Sequence, residues 1–176
     1  MPIMKTWPIW IAGTIVLAAV LHILTIFALP YGIMDRAMAG IAAQAGGVNK
    51  AVYPDPVTAA SRGIVRPSPD LLYTACVYDI GARPLRITSP VPDTYWSLSM
   101  FASNTDNFFV VNDRQTKAGR IEIILATDDT AKSGNDTPVV IAPSSRGIIL
   151  FRSLIASDAA RPEVDALRRQ SRCEPL

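Results

Sequence analysis

Charge is missing from the start of this chain: no Lys, Arg, Asp or Glu occurs among the 29 residues from Thr6 to Met34. Within them Ile9–Leu29 is nearly continuous hydrocarbon. As a helix, 21 residues span roughly 31 Å at about 1.5 Å per residue, close to the thickness of a bilayer core of about 30 Å. A surface helix of a small soluble domain has a polar face, and this run has none. It therefore predicts a lipid-bilayer anchor. Trp7 and Trp10 stand at one edge and Phe27 and Tyr31 at the other, where amphipathic rings favour the headgroup region. Pro8 suits a first helical turn, and Pro30 with Gly32 is expected to end the helix. A cleaved signal peptide is the competing reading. Its apolar region would be about 7–15 residues and would lead into small residues at the cut, whereas this run is longer and Ala28-Leu29-Pro30 is a poor cleavage site.

Histidine is scarce too. The single one, His22, lies inside the apolar run, which excludes histidine catalysis, and with it a Ser-His-Asp triad, from the rest of the chain. Cysteine is limited to Cys76 and Cys173, with no CxxC pair and no Cys/His cluster, so neither a metal site nor a cofactor is expected. Those two cysteines leave a single disulfide and two free thiols both open. Excess charge is missing as well: beyond Met34 there are 16 basic and 15 acidic residues, which gives no electrostatic case for nucleic acid. Lys5 and the α-amine precede the apolar run. A short positive stub favours a cytoplasmic N-terminus and a body in the periplasm, as a single-pass inner-membrane protein.

What is present reads as mainly β. Asp35–Gly46 is Ala-rich and predicts a short helix closed by Gly46-Gly47. Residues 48–69, with Pro54, Pro56, Pro67 and Pro69, read as irregular. Strands are expected at Leu71–Tyr78, Leu85–Thr88, Tyr95–Ala102, Phe108–Val111, Ile121–Ala126, Val139–Ala142 and Gly147–Ile155. The polar stretch Thr127–Pro138 reads as a hairpin loop. A closing helix is expected over Pro162–Arg172, capped by Ser157 or Asp158, with Arg168, Arg169 and Arg172 at its C-terminal end. The organisation is an anchor over 1–34, a membrane-proximal helix and Pro-rich linker over 35–69, and one antiparallel β-sandwich-like domain with a C-terminal helix over 70–176.

Polar groups gather on these strands. Asp70, Tyr73 and Asp79 bracket the first strand, Tyr95 opens the third, and Asn104 and Asp106 follow it. Arg152 interrupts an apolar strand: inward it needs a partner such as Asp70 or Asp79, outward it is an ordinary polar-face residue. Each has a plainer role. Asp and Asn beside Pro or between strands form Asx turns, and Tyr73, Tyr95 and Trp96 fill cores and rims. Asn104–Asn107 and Thr127–Asp129 offer oxygens for calcium, yet neither has the Gly and terminal Glu of an EF-hand loop.

The blocks VRPSPDLLYTACVYDI, PVPDTYWSLSMFASNTDNFFVVND and GIILFRSLI occur in the order found in the bacterial domain-of-unknown-function family 1254, which this chain resembles over about residues 48–172. Ser68 stands where that family usually has Asn, and Leu71 where it usually has Thr. The resemblance implies a β-sandwich-like fold and association with a second uncharacterised family, 1214, as a fused half or a separate chain. It supplies no reaction. The chain looks like a short, membrane-anchored form without that second half. Two functions follow: an extracytoplasmic interaction or accessory module working with a partner chain, or a ligand-binding protein or enzyme with a pocket between sheets built on Asp70, Asp79 and Arg152. Convergence of those residues in a cavity would favour the second, and their dispersal the first. A purely structural envelope protein is the third possibility.

Overall fold

The computed structural model describes residues 6–61, 67–116, 119–128 and 137–176. Its first element, α1, is a single helix over Trp7–Ala45. Pro8 sits in its first turn, as expected. Pro30 and Gly32 do not end it. A proline inside a helix removes one backbone hydrogen bond and crowds the carbonyl four residues earlier, here that of Ile26, a disruption of about 3 kcal/mol. The downstream turns offset that cost by packing: Met34 and Met38 are buried against Val77 and Ile148, with Ala37, Ile41, Ala42 and Phe101 around them. The separate helix expected over Asp35–Gly46 is thus the continuation of α1. It closes where anticipated, with Gly46 left-handed at φ 69° and the Gly47 N–H bonded to the Ala42 carbonyl at 2.8 Å. The upstream turns are exposed, and α1 is long and apolar enough to cross a membrane.

Two open sheets follow. The strands are β1 Ala51–Val52, β2 Leu71–Asp79, β3 Leu85–Pro90, β4 Trp96–Ala102, β5 Asn107–Asn112, β6 Arg120–Ala126, β7 Val139–Ile141, β8 Arg146–Leu154 and β9 Arg172–Pro175. One sheet has the order β1-β2-β8-β4-β5 and the other β7-β6-β3-β9. All pairings are antiparallel except β6 with β7, which run parallel. The stretch Thr127–Pro138 is therefore not a hairpin, because its flanking strands point the same way; residues 129–136 of it lie outside the described residues. A 3-10 turn, Asp158–Ala160, leads into helix α2, Arg161–Arg168. Ser157 caps that turn, its Oγ accepting the Ala160 N–H at 3.3 Å.

The expected closing helix stops early, and Arg172, placed on it by its charge, belongs instead to β9. The irregular segment likewise contains β1. Both short strands escape notice for one reason: two to four residues carry no readable period, and only an available sheet edge makes them strands. The core lies between the sheets. Tyr78, Trp96, Leu98, Met100, Ile149 and Phe151 of one sheet meet Leu85, Ile87, Ile123 and Leu125 of the other. Each such aliphatic side chain contributes about 1.5–3 kcal/mol on burial. β2 reads as apolar on both faces because it is covered twice, by this core and by α1.

Candidate functional site

The register of the five-stranded sheet distributes the candidate residues. Directly opposed residues on neighbouring strands share a face. Tyr73 pairs with Arg152, Arg152 with Ser97, and Ser97 with Asn112, so these four form one row. The next row is Ala75, Leu150, Ser99 and Val110, and the next Val77, Ile148 and Phe101. The last of these lies under α1. All three rows are on the outer face, away from the core.

Arg152 thus points outward. Its guanidinium donates to Ser99 Oγ at 3.0 Å and, among the described residues, makes no ion pair. Tyr95 stands beside it and donates its hydroxyl to Ser97 Oγ at 3.2 Å. The two serines are buried beneath these side chains, whereas Tyr95 remains 46% exposed. Tyr73, at the end of the same row, accepts the Ser68 N–H on its hydroxyl at 2.8 Å. Asp70 lies exposed in the turn before β2, held there through its carbonyl, which accepts the Ile155 N–H.

The other candidates sit at the opposite end of the sheet, since nine residue steps along β2 amount to about 30 Å. The Asp79 carboxylate accepts the Gly81 N–H at 3.2 Å and lies 3.6 Å from Arg146 Nε. Asn49, unremarked in the sequence, brackets the Asp79 backbone with two bonds of 2.7 and 2.8 Å. Asn104 and Asp106 form a closed Asx turn, with a side-chain bond of 2.6 Å and left-handed Thr105 between them. Asp70, Asp79 and Arg152 therefore do not converge, and the space between the sheets is filled by the apolar core.

Sequence reasoning set Arg168 at a helix end and missed its burial. Its side chain is 2% exposed and joins three segments. It bonds Asp165 within α2, the Tyr73 carbonyl of β2, and the Pro54 carbonyl at 3.0 Å. Arg169 adds a bond of 2.7 Å to the other Asp165 oxygen and stacks 5.6 Å from the Tyr53 ring centre. Burial alone would raise the Asp165 carboxyl, but the hydrogen bonds from Arg169 and Arg168 hold it below the ordinary carboxylate range. The signal for Arg168 was present in the sequence: it falls four residues after Val164, on the buried face of α2. Two shallow cavities of about 270 and 220 Å³ flank this clasp, one beside Tyr53 and Arg172, the other beside Leu72 and Arg161. Neither is lined by Asp70, Asp79 or Arg152.

The most open feature is an edge. Of the four outermost strands, β1, β7 and β9 have two to four residues, while β5 has six. The far edge of β5 meets no strand among the described residues, and its Val110 is 52% exposed. Short edges resist pairing with foreign strands and longer ones invite it.

The family described as "Protein of unknown function (DUF1254)" matches residues 48–175. The chain belongs to the DUF1254 family. No curated protein matches it. Two solved structures share the DUF1254 chain's fold. The VPA0106 protein from Vibrio parahaemolyticus is 17% identical, with a TM-score of 0.62 over 86% of this chain and 36% of that one. An uncharacterized protein from Burkholderia cenocepacia is 16% identical, with a TM-score of 0.53 over 83% of this chain and 40% of that one. The DUF1254 chain thus spans well under half the length of either.

Proposed function

We propose that this DUF1254 protein is a membrane-anchored accessory module of the bacterial envelope, which holds a partner protein at the periplasmic face of the inner membrane. α1 provides the anchor, with its N-terminus in the cytoplasm. The partner adds a strand to the open edge of β5 and rests on the adjoining outer face, at Val110, Arg152 and Tyr95. The carrying observation is that six-residue edge with its exposed valine. The Arg152 guanidinium, without an ion pair among the described residues, suits an acidic group on the partner. A family-1214 protein is the partner that the family resemblance favours. The alternative, a ligand pocket between the sheets, has no geometric support, because Asp70, Asp79 and Arg152 stand apart.

The test is purification of the tagged full chain in mild detergent, with Val110→Lys, which places a charge on the edge, as the control. One stoichiometric partner with the unaltered chain, reduced at least tenfold by Val110→Lys, is the expected result. Equal recovery with both chains would refute the edge as the docking site. A reporter fused after Leu176 should be active only when it functions outside the cytoplasm; cytoplasmic activity would overturn the placement.

A further inference from the structure

Cys76 and Cys173 are 97 positions apart in the sequence and meet in the core. Cys76 is on β2 opposite Ile149, and Cys173 is on β9 opposite Ile87. These strands belong to different sheets and share no backbone pairing. Both side chains are buried, at 0% and 2% exposure, among apolar neighbours. Cys76 from β2 and Cys173 from β9 belong to one buried cluster between the sheets. Among the described residues, no group of three or more His, Cys, Asp or Glu could hold a metal ion. Two thiols brought into one core from facing sheets act either as small apolar fillers or as the two halves of a crosslink.

We propose that Cys76 and Cys173 are a redox pair that closes into a disulfide between the two sheets when the folding chain meets a disulfide oxidant, such as oxidised glutathione or an oxidised dithiol protein. The thiolate of one cysteine attacks the oxidant's S–S bond and forms a mixed disulfide, releasing one sulfur of the oxidant as a thiol. The second cysteine, having lost its proton, then attacks the protein sulfur of that mixed disulfide and displaces the remaining oxidant sulfur. In total the two protein thiols lose two electrons and two protons, and the oxidant's disulfide becomes two thiols. Burial pushes the Cys173 thiol up and keeps it protonated in the closed core, so exchange occurs before the core closes or when β9 peels away. β9 is suited to that opening, since it has four residues and, among the described residues, pairs with β3 alone. Once formed, the bond fastens the last strand to β2, the strand on which α1 packs. It closes a long loop, the case in which crosslinks restrict the unfolded chain most.

The test uses the full chain in detergent and is independent of which side of a membrane the body occupies. One sample is reduced, denatured and refolded with reduced and oxidised glutathione. A second is purified under reductant and oxidised without unfolding. Both are then denatured, alkylated and weighed. The expected result is no alkylated cysteine in at least one sample, two after added reductant, and a thermal midpoint several degrees higher for the oxidised form. Cys76→Ala and Cys173→Ala should each leave one cysteine that is alkylated or carries a single glutathione. Two alkylated cysteines in both oxidised samples, or a lower midpoint on oxidation, would overturn the proposal.

Discussion

At Gly147 an added Cβ would stand 2.1 Å from the Phe101 carbonyl oxygen and 2.5 Å from the Tyr78 hydroxyl. The first of these is backbone of the interior strand β4, and the second is a fully buried ring, so neither can yield cheaply. Gly147→Ala should cost about 1–3 kcal/mol or more, read as a lower urea midpoint at unchanged slope. Thr74 presents the opposite case. It is 1% exposed, faces the apolar core, and its hydroxyl has no hydrogen-bond partner among the described residues. An unsatisfied buried hydroxyl is a standing penalty. Thr74→Val keeps the shape and removes the hydroxyl, so thermal unfolding should find it as stable as the parent or more so. A drop of several degrees would mean that the hydroxyl has a partner after all.

Among the elements, α2 is secured by ions rather than by length. It has only eight residues and one buried apolar side chain, Val164. Arg168→Ala would leave the part-buried Tyr73 and Pro54 carbonyls without this donor, a loss of about 1–3 kcal/mol. Arg168→Lys should recover little, because one ammonium cannot reproduce the planar fork that reaches three acceptors. The same clasp predicts acid lability. Asp165 titrates below its ordinary value of 3.8 when folded. The unfolded chain therefore takes up this proton more readily, and the stabilisation, complete above that value, is lost as pH falls through the folded one. Stability measured against pH should fall less steeply in this acid range for Asp165→Asn than for the parent. In α1 the buried Met38 holds the last turns on the sheet. Met38→Asp should speed hydrogen exchange across residues 34–45 while sparing the strands.

At the scale of the whole molecule, α1 is an uninterrupted rod, about 58 Å long at about 1.5 Å per residue, whose far end is packed onto the two-sheet body. The body has little freedom to swing, because α1 enters it without a linker and Met34, the last uncharged residue of the run, is already buried against the sheet. The sequence alone determined the apolar helix, the Gly46 stop, seven strands and the family, since length, period and turn chemistry are local properties that a single segment displays. It misjudged Pro30 and Gly32 because the packing that carries the helix past them comes from residues such as Val77 and Ile148, far along the chain. It passed over β1 and β9 because a short strand is defined by its neighbour's edge. Only the tertiary structure decided that Asp79 and Arg152 lie at opposite ends of a sheet, that β6 and β7 run parallel, that Arg168 is buried, and that Cys76 meets Cys173. Each of these depends on which strands come to lie side by side, and that is settled by burying the whole apolar surface at once rather than by the preference of any one stretch.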